Sequence, residues 1–277
     1  MKVRMYNVGF GDCFCLRDRK KSLLVDFGTN NSRIEGRPRR EIFDVIISDL
    51  STIKSKNLLL THFHMDHLSG LLYMMKKKDI SVDFGKIYLP DVFSKKEMSR
   101  TLVLLLLADL LKESGLPSRQ VSLFALVDAL LENKQNVELL SRGKLFENKY
   151  QALWPDTDVI RKETDEVYKR ICEDGKFKEV MDVLLEFAEK LRLIVWSMTA
   201  EGNKPAETVE KETDLTASEL TEQPEVRQKI IRAYVYEREF RRIKALPDFK
   251  KLLAWLNENQ INLRQFKHKI SMPETEN

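Results

Sequence analysis

Three of the chain's four histidines fall within six residues, in the stretch Leu58-Leu59-Leu60-Thr61-His62-Phe63-His64-Met65-Asp66-His67-Leu68-Ser69-Gly70. The apolar run before them reads as a short buried strand that ends at Thr61. A dense polar cluster gains nothing inside a core, so it belongs in the loop at the strand's carboxyl end, where open α/β sheets place their sites. Alternate residues of an extended segment share a face, so His62 and His64 are expected to point the same way. Asp66 and His67 then lie on the turn into a helix expected to begin near Leu68. Imidazole and carboxylate together suit zinc, manganese or iron. One ion can take His62 and His64 while a neighbour takes Asp66 and His67, which leaves open positions for water. The competing explanation is a polar loop that caps the helix through Asp66 and Ser69. It accounts poorly for three clustered imidazoles.

This stretch, from Thr61 to Gly70, resembles the metallo-β-lactamase-fold hydrolases, whose signature is His-x-His-x-Asp-His followed by a glycine. The segment Asn7-Val8-Gly9-Phe10-Gly11-Asp12-Cys13 looks like the V-G-x-G-D segment that opens the subgroup typified by the hydrolase domain of the competence DNA-uptake protein ComEC. Asp26-Phe27-Gly28 matches the superfamily's D-x-G, and Leu153-Trp154-Pro155 resembles an L-x-P that closes a strand in the same subgroup. The resemblance implies an α/β fold, a metallo-β-lactamase-like αββα sandwich, of which residues 1–156 form the N-terminal half. It implies one or two metal ions, zinc foremost with manganese or iron as alternatives, held by His62, His64, Asp66 and His67. Asp66 would also orient the attacking water or take its proton. Asp26 either accepts from a ligand histidine's other nitrogen or is a turn residue before Gly28. Asp12 faces the site or serves as ordinary Gly-Asp turn chemistry.

The rest of the chain reads in order. Residues 2–8 alternate as a strand, 13–16 form a second, and 22–28 a third, with the charged turn 17–21 between the last two. Residues 39–50 have helical spacing through Ile42, Val45, Ile46 and Leu50. Residues 71–78 continue the helix after Gly70, and 86–90 fit a core strand. Residues 98–111 and 121–131 are apolar helices separated by Ser114-Gly115-Leu116-Pro117. Residues 144–155 read as a hairpin. Cys13 and Cys15 share a strand face and read as small core residues, and three cysteines imply no disulfide framework.

Beyond residue 156 the chain departs from the superfamily pattern with a large helical insertion. Residues 157–198 form this insertion, with 164–197 expected as helix carrying a stripe of Val180, Val183, Leu184, Phe187, Leu191, Ile194 and Val195. Residues 199–225, rich in glutamate and poor in apolar side chains, read as a disordered acidic linker. Residues 226–277 form basic helices with interleaved aromatics, ending at the start of a core strand near His268. They are either a face for a nucleic-acid backbone or an amphipathic pair with a solvated rim. The net charge of +4 does not by itself imply nucleic acid. The longest apolar run, 102–108, is far short of the ~20 residues of a membrane span. A cytoplasmic location and no membrane contact are expected.

After His67 the sequence supplies only His268, as a replacement ligand or a surface residue. The superfamily's later bridging Asp and last His have no counterpart, so the chain reads as a first half whose second half is absent. Metal affinity is then expected to be weaker than in a full site, and activity alone uncertain. The expected function is metal-dependent hydrolysis of an ester or phosphodiester, with nucleic acid or a nucleotide favoured and a complementing polypeptide as a further expected partner. The alternative is a non-catalytic interaction protein that retains a remnant metal-binding loop.

Overall fold

The computed structural model describes residues 1–18, 21–77, 83–112, 122–132, 136–173, 175–199, 240–259, 261 and 263. Two compact units divide the chain, one of residues 1–90 with 117–138, the other of 91–116 with 139–277. The expected linker 199–225 lies outside the described residues except for Thr199, as do His268 and most of the basic segment 226–277.

The first unit begins as a meander. Strands β1 (Lys2–Met5), β2 (Phe14–Asp18) and β3 (Lys21–Val25) pair antiparallel in sequence order. A small hairpin follows, β4 (Arg33–Ile34) with β5 (Arg37–Pro38), and its tip carries Gly36 at φ 79°. Helix α1 (Arg39–Ser51) then returns the chain so that β6 (Ser55–Leu59) lies parallel to β3, with Val25 opposite Leu59. Parallel neighbours need such a crossover. Helix α2 (Met65–Met75) makes the second crossover, to β7 (Ile87–Pro90), which is parallel to β6. The full sheet runs β1-β2-β3-β6-β7-β8, where β8 is Val137–Leu140. It is a mixed sheet, antiparallel at the β1 edge and parallel at its centre.

Burial explains the arrangement. Every residue of β7 is buried, as expected for a central strand covered on both faces. Helix α1 turns Phe43, Ile46, Ile47 and Leu50 inward at i, i+3, i+4 and i+7. Phe43 meets Phe27 edge-on at 5.2 Å and Tyr73 at 5.6 Å, which joins α1, α2 and the end of β3 into one core. Cys13 and Cys15 are buried, and burial raises the Cys13 thiol above its ordinary range. Helix α4 (Ser122–Glu132) packs against α2.

In the second unit, helix α3 (Ser99–Lys112) follows a 3₁₀ turn at Lys96–Met98. Residues Leu102 to Ala108 are buried all round, the pattern of a helix enclosed by its neighbours. Those neighbours are α5 (Thr157–Cys172) and α6 (Lys178–Ser197). Asp156 caps α5 by accepting from the backbone N–H of Asp158 and Val159. The continuous helical periodicity read across 164–197 is interrupted here: Gly175 takes φ 65°, a left-handed conformation that ends the first helix and re-aims the chain. A hairpin, β9 (Leu145–Phe146) with β10 (Tyr150–Gln151), falls where alternation predicts one. Helices α7 (Phe240–Ala245) and α8 (Pro247–Glu258) are the described part of the basic segment, with Trp255 at 5.6 Å from Phe177.

Candidate metal centre

Parallel pairing brings the carboxyl ends of β3 and β6 side by side. Asp26 follows β3 and Thr61 follows β6, and the Asp26 N–H donates to the Leu59 carbonyl at 2.8 Å. Asp26 sits at φ 53°, a left-handed conformation that aspartate tolerates better than most residues. Its side chain is buried and becomes a hub. Oδ1 accepts from the Thr61 N–H at 2.8 Å, and Oδ2 accepts from the Thr61 hydroxyl at 2.7 Å. The Nδ1 of His67 lies 2.9 Å from the same Oδ2.

This network assigns tautomers. A carboxylate only accepts, so His67 donates through Nδ1–H, and in the neutral ring its Nε2 holds the lone pair. The single hydroxyl proton of Thr61 goes to Asp26, so the 2.9 Å contact between Thr61 Oγ1 and His62 Nδ1 must carry the His62 proton. Metal-binding histidines need this arrangement, with one nitrogen held by an acceptor and the other available.

The helix begins earlier than its apolar spacing predicts. Its first residue is Met65 and its N-cap position is His64, so Asp66 and His67 lie in the first turn of α2 and not before it. The Asp66 carboxylate there complements the positive end of the helix. Ser69 does not cap; it is buried inside the helix and binds the chain after β3, accepting from the Thr29 N–H at 2.9 Å and donating to the Thr29 carbonyl at 3.0 Å. The strand also stops sooner, at Leu59, and 62–63 form a bend. Alternation nevertheless persists, since Phe63 is buried while His62 and His64 are only half-buried.

All three imidazoles come together. The His62 and His64 rings lie 4.8 Å apart edge to face, and the His62 ring lies 3.6 Å from that of His67. The His62 ring is thus nearer to that of His67 than to that of His64. On the Nε2 side of His67 stands Asp66, its Oδ2 at 3.7 Å. On the Nδ1 side stands Asp12, its Oδ2 at 3.6 Å. Asp12, Asp26 and His67 form a group whose ligand atoms all lie within 4.8 Å, a possible metal-binding cluster. Within it Asp26 has already accepted three hydrogen bonds, so its part is to orient His67.

Three carboxylates around one imidazole leave a clear electrostatic signature. Burial lowers the His67 pKa, but the hydrogen bond to Asp26 and the charges of Asp26, Asp66 and Asp12 outweigh it and raise the pKa overall. The site is thus a place where positive charge is welcome. Its donor set of imidazole and carboxylate fits zinc, manganese or iron.

Asp12 reaches this position through glycines, which spacing alone does not reveal. A Cβ on Gly11 would stand 2.2 Å from the Gly28 carbonyl oxygen and 2.8 Å from that of Asp66, and one on Gly28 would stand 2.6 Å from the same Asp66 oxygen. The loop after β1, the loop after β3 and the first turn of α2 therefore touch backbone to backbone. The available sequence signal was this pairing of Gly11-Asp12 with Asp26-Phe27-Gly28.

Residues 6–91 match the family model of the Metallo-beta-lactamase superfamily. The match contains Asp12, Asp26, Thr61 and all four proposed ligands, and covers less than a third of the chain. No curated protein and no solved structure matches. The superfamily match and the cluster of Asp12, Asp26 and His67 together suggest a metal-dependent hydrolase.

Proposed function

We propose that the chain is a metal-dependent hydrolase on a metallo-β-lactamase-like αββα sandwich, with His62, His64, Asp66 and His67 as the metal ligands. The observation that carries this reading is the Asp26–Thr61 hub, which holds Nδ1 of His67 and meets Nδ1 of His62, with Asp66 beside His67. When bound there, a divalent ion supplies a water of lowered pKa and polarises the group under attack. Asp26 holds His67 in one tautomer and one orientation. Thr61 does the same for His62. Asp66, the most exposed of the site's first-turn residues, is placed to orient a water or take up its proton.

A phosphodiester, in nucleic acid or a nucleotide, is the favoured substrate class. Support comes from the Val8-Gly9-Phe10-Gly11-Asp12 segment, whose glycines bring Asp12 to the site. Nucleic-acid contact through the basic segment stays part of the proposal; residues 226–239 lie outside the described structure.

The test is metal analysis of purified protein with hydrolysis of bis(p-nitrophenyl) phosphate, beside a His64→Ala control. Bound zinc or manganese with turnover lost in the control is the expected result; protein that stays metal-free when supplied with either ion sinks the proposal. A second reading is a non-catalytic interaction protein, favoured by the sheet's edge strand β1, where Val3 is 60% and Met5 72% exposed. Metal binding without turnover on any ester or phosphodiester is the outcome that selects it.

A further inference from the structure

The second unit holds a cavity of about 660 Å³ between the 3₁₀ turn at Lys96–Met98 and helices α3, α5 and α6. The size suits a metabolite-sized ligand. Five carboxylates line it, which at first favours a cation. Four of them are already engaged. Arg100 holds Asp165 at 2.7 Å, and Lys178 holds Asp182 at 2.6 Å. Lys190 holds Glu186 at 2.7 Å, and Arg192 holds Glu189 at 2.7 Å. The fifth, Glu97, is exposed, where water and salt screen its charge.

Arg161 is the opposite case. It lines the same cavity, its Nε is buried with no hydrogen-bond partner, and no acceptor among the described residues binds its guanidinium. A guanidinium is permanently charged and presents five donors in a planar fork matched to carboxylate and phosphate. Lys96 adds a second positive charge to the lining, where it also acts on Glu189. The cavity therefore carries one buried unanswered donor, Arg161 Nε, while four of its five carboxylates already have partners. We propose that this cavity binds a small organic acid or phosphorylated metabolite, whose anionic group is gripped by Arg161. The cavity shares no lining residue with the histidine loop.

The test follows the Arg161 Nε–H resonance of the intact chain by NMR during titration with inorganic phosphate and, separately, with glutarate. Sodium chloride serves as the ionic-strength control. A saturable shift with one probe or both is expected, and which probe acts distinguishes a phosphate from a carboxylate ligand. Calorimetry should show binding about tenfold or more weaker in Arg161→Gln, with Arg161→Lys between, since lysine keeps the charge but loses the fork. His64→Ala should bind like the parent, which separates this cavity from any anion held at the histidine loop. A resonance moved no further by either probe than by chloride overturns the proposal, as does unchanged affinity in Arg161→Gln.

Discussion

Asp26 accepts three hydrogen bonds while its own backbone stands at φ 53°. Replacing it by alanine leaves the buried His67 Nδ1–H without an acceptor, at about 1–3 kcal/mol, and strips the half-buried Thr61 N–H of its partner. Asp26→Ala should therefore lower the urea midpoint and weaken zinc binding about 10–100-fold, the usual cost of losing a ligand's outer partner. A zinc titration that matches the parent would show that Asp26 does not orient His67. Thr61→Val is a finer probe, because it removes the hydroxyl shared by Asp26 and His62 and keeps the shape. It should weaken zinc binding less than Asp26→Ala does.

A second residue-scale prediction concerns Glu189. Burial pushes its pKa up, but hydrogen bonds from Arg192 and Ser99 prevail and hold the carboxyl below its ordinary value. A depressed folded pKa contributes stability above the unfolded pKa and loses it as pH falls through the folded value. Urea midpoints should thus decline on acidification from about pH 5 downward. Glu189→Gln should show a shallower decline, and an identical pH profile would remove Glu189 from that account.

Among elements, the packing of α2 on the end of β3 decides where the ligands stand. Gly70 allows it: an added Cβ would lie 2.6 Å from the Phe27 ring, while the Gly70 and Leu71 N–H groups donate to the Phe27 carbonyl. Gly70→Ala should cost about 1–3 kcal/mol by overpacking, and it should lower metal affinity as well because His67 rides on the same helix. Gly175→Ala should cost about 1 kcal/mol, through its φ of 65° alone, since nothing lies within 4 Å of its Cβ position. It should leave metal affinity intact. Urea unfolding with parallel zinc titrations separates the two mechanisms.

At the scale of the whole molecule, the two units should answer metal differently. Zinc at a hundredfold excess over its Kd should stabilise the protein by about 2.7 kcal/mol. Hydrogen exchange should slow in residues 10–30 and 59–72 and stay unchanged in α5 and α6. Uniform protection across both units would argue against a site confined to the histidine loop. No helix among the described residues is long and apolar enough to cross a membrane.

Local chemistry was legible from the chain alone. The spacing of His62, His64, Asp66 and His67, the antiparallel start, the crossover helix α1 and the hairpin at 144–155 all depend on neighbours within a few residues, and periodicity records such neighbours. Strand β8 and the small β4–β5 hairpin were not anticipated, since short pairings leave little periodic trace. Only tertiary structure decided that Asp12 stands beside His67, that Asp26 fixes it, and that Arg161 faces a cavity unanswered. These contacts join residues 41 to 55 apart, or three separate helices. Their existence depends on close backbone approach at Gly11 and Gly28 and on which carboxylates already have partners, quantities that no local window of sequence contains.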